Sequence, residues 1–416
     1  MNFNTDPFNR SPFNRPYEEI PNVLYIPKPH TPVIENYPVG VYDENFNWIA
    51  EIDDYISLSW TRRWRTAGEF ELQVSRYDKS GNDRDLDADY WISLYRGGIA
   101  RIAQIKTMEL PLDANGKASE IWTIRGPDAK GILASRIAMV GVTSGTGFDT
   151  QTAVSAEAAM RHYIDGNIIS ATDVNRRIAA LEFETIHAPQ LGGTVSYSAR
   201  LEDLPAILEA ICLASPDQVG YDVVFIRSTK KLQYRTLLGT DRSATVKFST
   251  LIGNAAAMAY THDRTPVKTV AYVGDAGVDA ARTFSEVYDG TEPAGLDRIE
   301  TFVDGSDTTT AAELTQRGHE TLNECGAAET AEFSVLKDKS VQYSTRAAAG
   351  DYDNGDIVTV VYGGIMTMAA RIVEITEEYG VNGSFDDVRI TTGTSKDDLK
   401  RFFRQQEKKN SVRRRA

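Results

Sequence analysis

The chain has 416 residues, a formal net charge of −14 and two cysteines. That length fits two to four domains, and no apolar run approaches the roughly 18 residues of a membrane-spanning helix. Cys212 and Cys325 are too few and too distant in sequence to staple a fold, so they are expected as buried thiols, and Met1-Asn2-Phe3-Asn4 lacks the pattern of a secretory signal.

Residues 1–38 hold eight prolines, among them Pro7, Pro12, Pro16 and Pro21. Proline fixes φ and removes a backbone donor, which excludes helix and central strand. Two readings stand: a disordered tail, or an extended arm lying on a neighbouring subunit with Phe8, Phe13 and Tyr25 as anchors. Residues 39–125 read as β. Ile56, Leu58 and Trp60 alternate with serines, and Phe70, Leu72 and Val74 alternate with Glu69, Glu71 and Gln73. Gly97-Gly98 marks a hairpin between Trp91–Tyr95 and Ile99–Ile105.

Residues 126–240 change to an α+β pattern. A helix is expected from Pro127-Asp128 through Ile132, Leu133 and Ile137, a second over 151–164 and a third over 201–213. Tyr221–Ile226 and Leu232–Arg235 flank a hairpin turn at Ser228–Lys231. The β pattern returns over 241–280, including Val267–Val273, and over 331–395. Between them, 281–330 is expected as a helical insertion with one helix over 308–325. Asn354-Gly355-Asp356 reads as a tight turn into a strand at Ile357, and Gly363-Gly364 as the next hairpin turn. Residues 396–416 form a basic tail. Lys400 to Ala416 carry eight Lys/Arg and one Glu, net +7, which leaves −21 on the rest. An acidic body argues against general affinity for duplex DNA and suits a surface that DNA passes without sticking.

Chemistry is sparse. The five histidines have no ligand-spaced partner, Gly141–Gly147 has no following Lys for a phosphate loop, and the Asp351–Asp356 cluster misses calcium-loop spacing at its Gly and its last ligand. Asp53-Asp54, Glu377-Glu378 and Asp386-Asp387 read as solvated pairs. No catalytic, cofactor-binding or metal residue is assigned.

Three segments nevertheless form a pattern. The first contains Trp60, Trp64, Gly68, Phe70 and Leu72. The second runs through Arg125, Gly126 and Asp128. The third holds Gly355 and Asp356. In this order they resemble the tail-hub proteins of long-tailed bacteriophages, also called baseplate-hub or tail-associated proteins, over roughly residues 39–395. The resemblance implies a mixed, mainly β fold. It has two tail-tube-like β-barrels, at 39–125 and at 241–280 plus 331–395, with inserted α+β material. It implies a homotrimeric ring at the virion's tail tip, assembled in the host cytoplasm, with no cofactor and no enzymatic activity. Implied partners are the distal tail protein, the tape-measure protein and a tail fibre or receptor-binding protein, with DNA passing through the lumen. Two rival readings are a receptor- or carbohydrate-binding tail-tip module using Trp48, Trp64 or Trp91, and a cell-wall-degrading tail enzyme.

Overall fold

Period-two alternation of apolar residues builds most of the chain, and the computed structural model places these strands in five sheets. It describes residues 37–393 except 78–85, 97–98, 113–115, 117–118, 146, 186–189, 278–280, 307–309, 337–351, 365 and 382–384. The arm anchors Phe8, Phe13 and Tyr25 and the basic tail lie outside the described residues.

The first part contributes β1 (Val39–Tyr42), β2 (Trp48–Ile52), β3 (Ser57–Arg63), β4 (Glu69–Ser75), β5 (Trp91–Arg96), β6 (Ile99–Gln104), β7 (Thr107–Glu109) and β8 (Ile121–Pro127). They form two sheets, β2-β1-β5-β6 and β3-β4-β8-β7. Val39, Ile52, Leu58, Trp60, Phe70, Leu72 and Ile92 fill the space between the sheets. One bridge, Ala103 to Asp128, links β6 to the end of β8.

The next stretch holds β9 (Asp149–Ser155), α1 (Ala156–Ile164), β10 (Leu181–Phe183), β11 (Thr194–Ala199), α2 (Leu204–Ala214), β12 (Gly220–Ile226) and β13 (Lys231–Leu237). Two expected helices are shorter here. Residues 149–155 are a strand because they ladder with β11, a partner some 40 residues later that no local window reveals. Ser155 Oγ then accepts from Ala158 N and caps α1. After β8 the chain makes only a 3₁₀ helix, Ala129–Ser135, which ends before Ile137. Its core is not separate from the first part: Tyr42, Phe46 and Trp91 pack with Met160, Leu208 and Phe225.

The last part holds β14 (Lys247–Ser249), β15 (Ala255–Asp263), β16 (Val270–Gly274), β17 (Phe284–Val287), β18 (Glu300–Asp304), α3 (Ala311–Glu324), β19 (Ala328–Val335), β20 (Ile357–Tyr362), β21 (Met366–Tyr379) and β22 (Phe385–Gly393). The expected insertion is not purely helical. β16 leaves the surrounding β material and joins β17 and β18 in a small sheet covered by α3. The other strands run β15-β19-β22-β21-β20-β14, with β14 parallel to β20.

The two β parts are joined edge to edge. β21 pairs antiparallel with β3, from Glu374 opposite Arg63 to Tyr379 opposite Leu58. This makes one ten-stranded sheet across both parts. The fold is mainly β as expected, but no strand ladder closes either part into a barrel among the described residues. The edge of β3 away from β4 is taken by β21, which leaves that edge unavailable to strands of its own part.

Candidate functional site at the sheet junction

The β3–β21 ladder buries a charge cluster. Glu377 is fully buried. Its Oε2 accepts from Arg101 and from the Tyr379 hydroxyl at 2.5 Å, with Arg96 at 3.4 Å, and Arg62 stands 4.0 Å from Oε1. Arg62 also pairs with Asp353 at 2.5 Å, and Arg96 lies over the rings of Tyr37 and Tyr379. Burial alone would push the Glu377 carboxyl up. Arg101, Arg96 and Arg62 outweigh it and hold the group well below the usual carboxylate range. The same burial pushes the Tyr379 phenol well up, so it remains a donor.

Glu377 corrects the expectation of a solvated Glu377-Glu378 pair. A signal was present in the sequence: Glu377 shares the inward parity of Ile375 and Tyr379, while Glu378 takes the outward one. The three arginines come from β3, β5 and β6, so their convergence depends on strand pairing.

The quoted motif residues fall around this junction. Trp60 is buried with its ring stacked on Phe70, and Leu72 lies in the same core. Trp64 leaves β3 and donates Nε1 to the Gln218 carbonyl at 3.0 Å, reaching the α+β stretch. Its ring covers Gly355, which has φ +90°, and a Cβ there would overlap the indole. Gly355 N donates to Ile372 O at 2.8 Å, and buried Asp356 accepts from Thr240 N at 2.8 Å and Arg242 Nε at 2.9 Å. The first and third segments, almost 300 residues apart, therefore meet at Trp64.

The second segment closes the other side. Gly126 stands opposite Phe70. Asp128 N donates to Gly68 O at 3.0 Å, and a Cβ on Gly68 would overlap the Thr61 carbonyl. Asp128 caps the 3₁₀ helix through Lys130 N at 3.1 Å, and Lys130 Nζ donates to Arg63 O at 2.6 Å. Burial raises the Asp128 carboxyl pKa, with Lys130 opposing it. Arg125 is not part of the buried cluster; it pairs on the surface with Glu71 at 2.7 Å and Glu109 at 2.8 Å.

The opposite face of the joined sheet is polar. Across it Ser59 meets Glu378, Thr61 meets Thr376 at 2.9 Å, and Arg63 meets Glu374 at 2.7 Å. On β21, β3 and β4 this face carries Glu374, Glu378, Glu69 and Glu71 against Arg63. The cross-strand pairs hold these side chains flat along the sheet.

The sugar-binding aromatics of the rival reading are not assembled. Trp64 and Trp91 are buried, and Trp48 is about half exposed, edge-on to Tyr42. Among the described residues no group of three His, Cys, Asp or Glu side chains is placed to hold a metal. His162 pairs with Asp149 at 2.7 Å, His262 with Glu329 at 3.2 Å and His319 with Asp289 at 2.7 Å. No described helix is long and apolar enough to cross a membrane.

The sequence matches the family described as Siphovirus ReqiPepy6 Gp37-like protein over residues 38–394. Two solved structures share the fold. One is a tail protein from Neisseria meningitidis MC58, with TM-score 0.51 and 11% identity, covering 86% of this chain and 97% of that one. The other is the 43 kDa tail protein of prophage MuSo2 from Shewanella oneidensis, with TM-score 0.52 and 11% identity, covering 88% and 99%. No curated protein sequence matches the chain. The chain belongs to the Siphovirus ReqiPepy6 Gp37-like family and has the fold of phage tail proteins.

Proposed function

We propose that this member of a siphovirus family is a structural tail-hub protein of the virion. In this reading three copies form a ring at the tail tip. Each copy supplies two related β units, so three chains present six units to a sixfold tube. The distal tail protein binds one side and a fibre or receptor-binding protein the other. The tape-measure protein, then DNA, passes through the lumen.

The observation that carries the reading is the ten-stranded sheet shared by both β parts. A continuous ladder holds two units at a fixed angle, as a ring segment requires. Its polar face carries four carboxylates and one arginine on β21, β3 and β4. Arg125 on β8 and Arg389 on β22 lie on the same face beside Glu71 and Glu378, and the carboxylates still outnumber the arginines, a sign that repels a passing polyanion. This face is the lumen wall in the proposed ring, and the buried Glu377 cluster is the clamp behind it. The role is geometric and not enzymatic.

Light scattering over a concentration series tests the reading. The expected mass is three times the 46.0 kDa chain mass, with rings visible by electron microscopy. A chain that remains monomeric at every concentration, and in the presence of purified tail tubes, overturns it.

A further inference from the structure

The small sheet of β16, β17 and β18 is covered by α3 on one face only. Ala271, Val273 and Val287 face Leu314 and Leu322 of α3. The other face displays Tyr272, Phe284 and Phe302. Phe284 is 58% exposed and Phe302 43%. Gly274 lies opposite Phe284 on one side and beside β18 on the other, and the two phenylalanine rings stand 6.3 Å apart.

Its rim is acidic. Glu286, Glu300 and Asp304 stand on this face opposite Tyr272, Val270 and Gly274, and Glu292 reaches it through Arg298, against the two cations Arg282 and Arg298. Arg298 lies over the Tyr272 ring and is held by Glu286 at 2.7 Å, Glu300 at 2.7 Å and Glu292 at 3.1 Å, while Arg282, paired with Asp304, lies against Gly274 and over the Phe302 ring, so the exposed aromatic surface is the outer part of Phe284 and Phe302. An occupant suited to this face is aromatic at its centre and basic at its edges.

We propose that the chain's own C-terminal segment, centred on Leu399-Lys400-Arg401-Phe402-Phe403-Arg404, docks there. Its two phenylalanines flanked by three cations match an aromatic face with an acidic rim. Position agrees with chemistry. β22 ends at Gly393, paired with Thr330 on β19. Chain crossings into and out of the small unit lie at that same end: Asp263 of β15 stands opposite Ala328, and Lys268 N donates to Cys325 O. The six residues from Gly393 to Leu399 span roughly 20 Å when extended. The N-terminal arm is a poorer match, because residues 1–36 carry four carboxylates against three Lys/Arg. The segment lies beyond the family match, which ends at residue 394.

Trypsin digestion of the full chain tests the proposal. Cleavage after Lys400, Arg401 and Arg404 is expected about tenfold or more slower than after Arg413, Arg414 and Arg415, as burying one large apolar side chain would give. The double variant Phe284→Ser/Phe302→Ser changes only exposed side chains and is expected to keep the parent melting temperature while equalising the two rates. Glu292→Lys reverses one rim charge and is expected to shrink the difference. Zero-length carboxyl–amine cross-linking should join Lys400 or Lys408 to Glu286, Glu292 or Glu300 within one chain. Equal cleavage rates in the parent protein, protection unaffected by the Phe284→Ser/Phe302→Ser change, or cross-links found only between isotopically distinct copies would each overturn it.

Discussion

Replacing Glu377 with Gln removes one charge from the junction and keeps its shape. In the parent protein Glu377 is met by Arg101, Arg96, Arg62 and the Tyr379 hydroxyl. After the change Arg62 keeps Asp353, and Arg96 keeps the faces of Tyr37 and Tyr379. The loss falls mainly on Arg101, only 7% exposed, whose charge loses its carboxylate in a dry site. Breaking a buried pair from one side costs about 3–5 kcal/mol, and the low end, ~3 kcal/mol, applies where two of three cations keep partners. The shared β3–β21 ladder couples the two parts, so one transition is expected. Over residues 38–394 the unfolding entropy is about 0.75 kcal/mol/K, and the melting temperature should fall by about 4 °C. The pH dependence gives a second reading. The folded carboxyl lies below its unfolded value near 4.3, so as pH falls the unfolded chain takes up the proton first. The stabilisation is complete above about pH 5 and drains below that as pH approaches the folded value. Glu377→Gln should therefore flatten the stability profile between about pH 5 and 3. A melting temperature within 1 °C of the parent, with an unchanged acid limb, would refute the clamp.

The remaining tests bear on other parts of the molecule. Gly355→Val puts a branched side chain at φ +90° and into the Trp64 indole; a loss of about 3 kcal/mol or more and a sharp drop in soluble yield are expected, and parent-like melting would contradict that contact. His162 is raised from its ordinary pKa by its hydrogen bond to Asp149, with burial opposing. Its contribution to stability is present below about pH 6.5 and lost as pH rises through the folded value. An NMR titration should place the ring above 6.5 in the parent and near 6.5 in Asp149→Asn; identical midpoints would rule the pair out. Burial pushes the Cys212 thiol up to about 12, so a maleimide should label it only after denaturation, and rapid labelling of the native protein would contradict its burial.

The buried residues of the first β part were legible because alternation is local. Leu58, Trp60, Phe70 and Leu72 each show it within a few residues, and the turn at Gly355 was marked by its neighbours Asn354 and Asp356. The strand at 149–155 was not legible, because its partner β11 is remote and its composition suits a helix equally well. β16 carried a clear strand pattern, but nothing in that pattern chose β17 and β18 over the larger sheet. Pairing partners are set by which edges meet after collapse, and residues far apart in sequence leave no local trace of that choice.

The junction divides the same way. By itself the sequence determined a mainly β chain with an acidic body and a basic end, and even the inward parity of Glu377, since charge and period-two alternation are properties of neighbouring residues. Only the tertiary structure decided that Arg62, Arg96 and Arg101 converge on that one carboxylate, and that Trp64 seals Gly355 from almost 300 residues away. The β3–β21 ladder brings them together, and strand pairing is a long-range contact whose free energy no local segment contains.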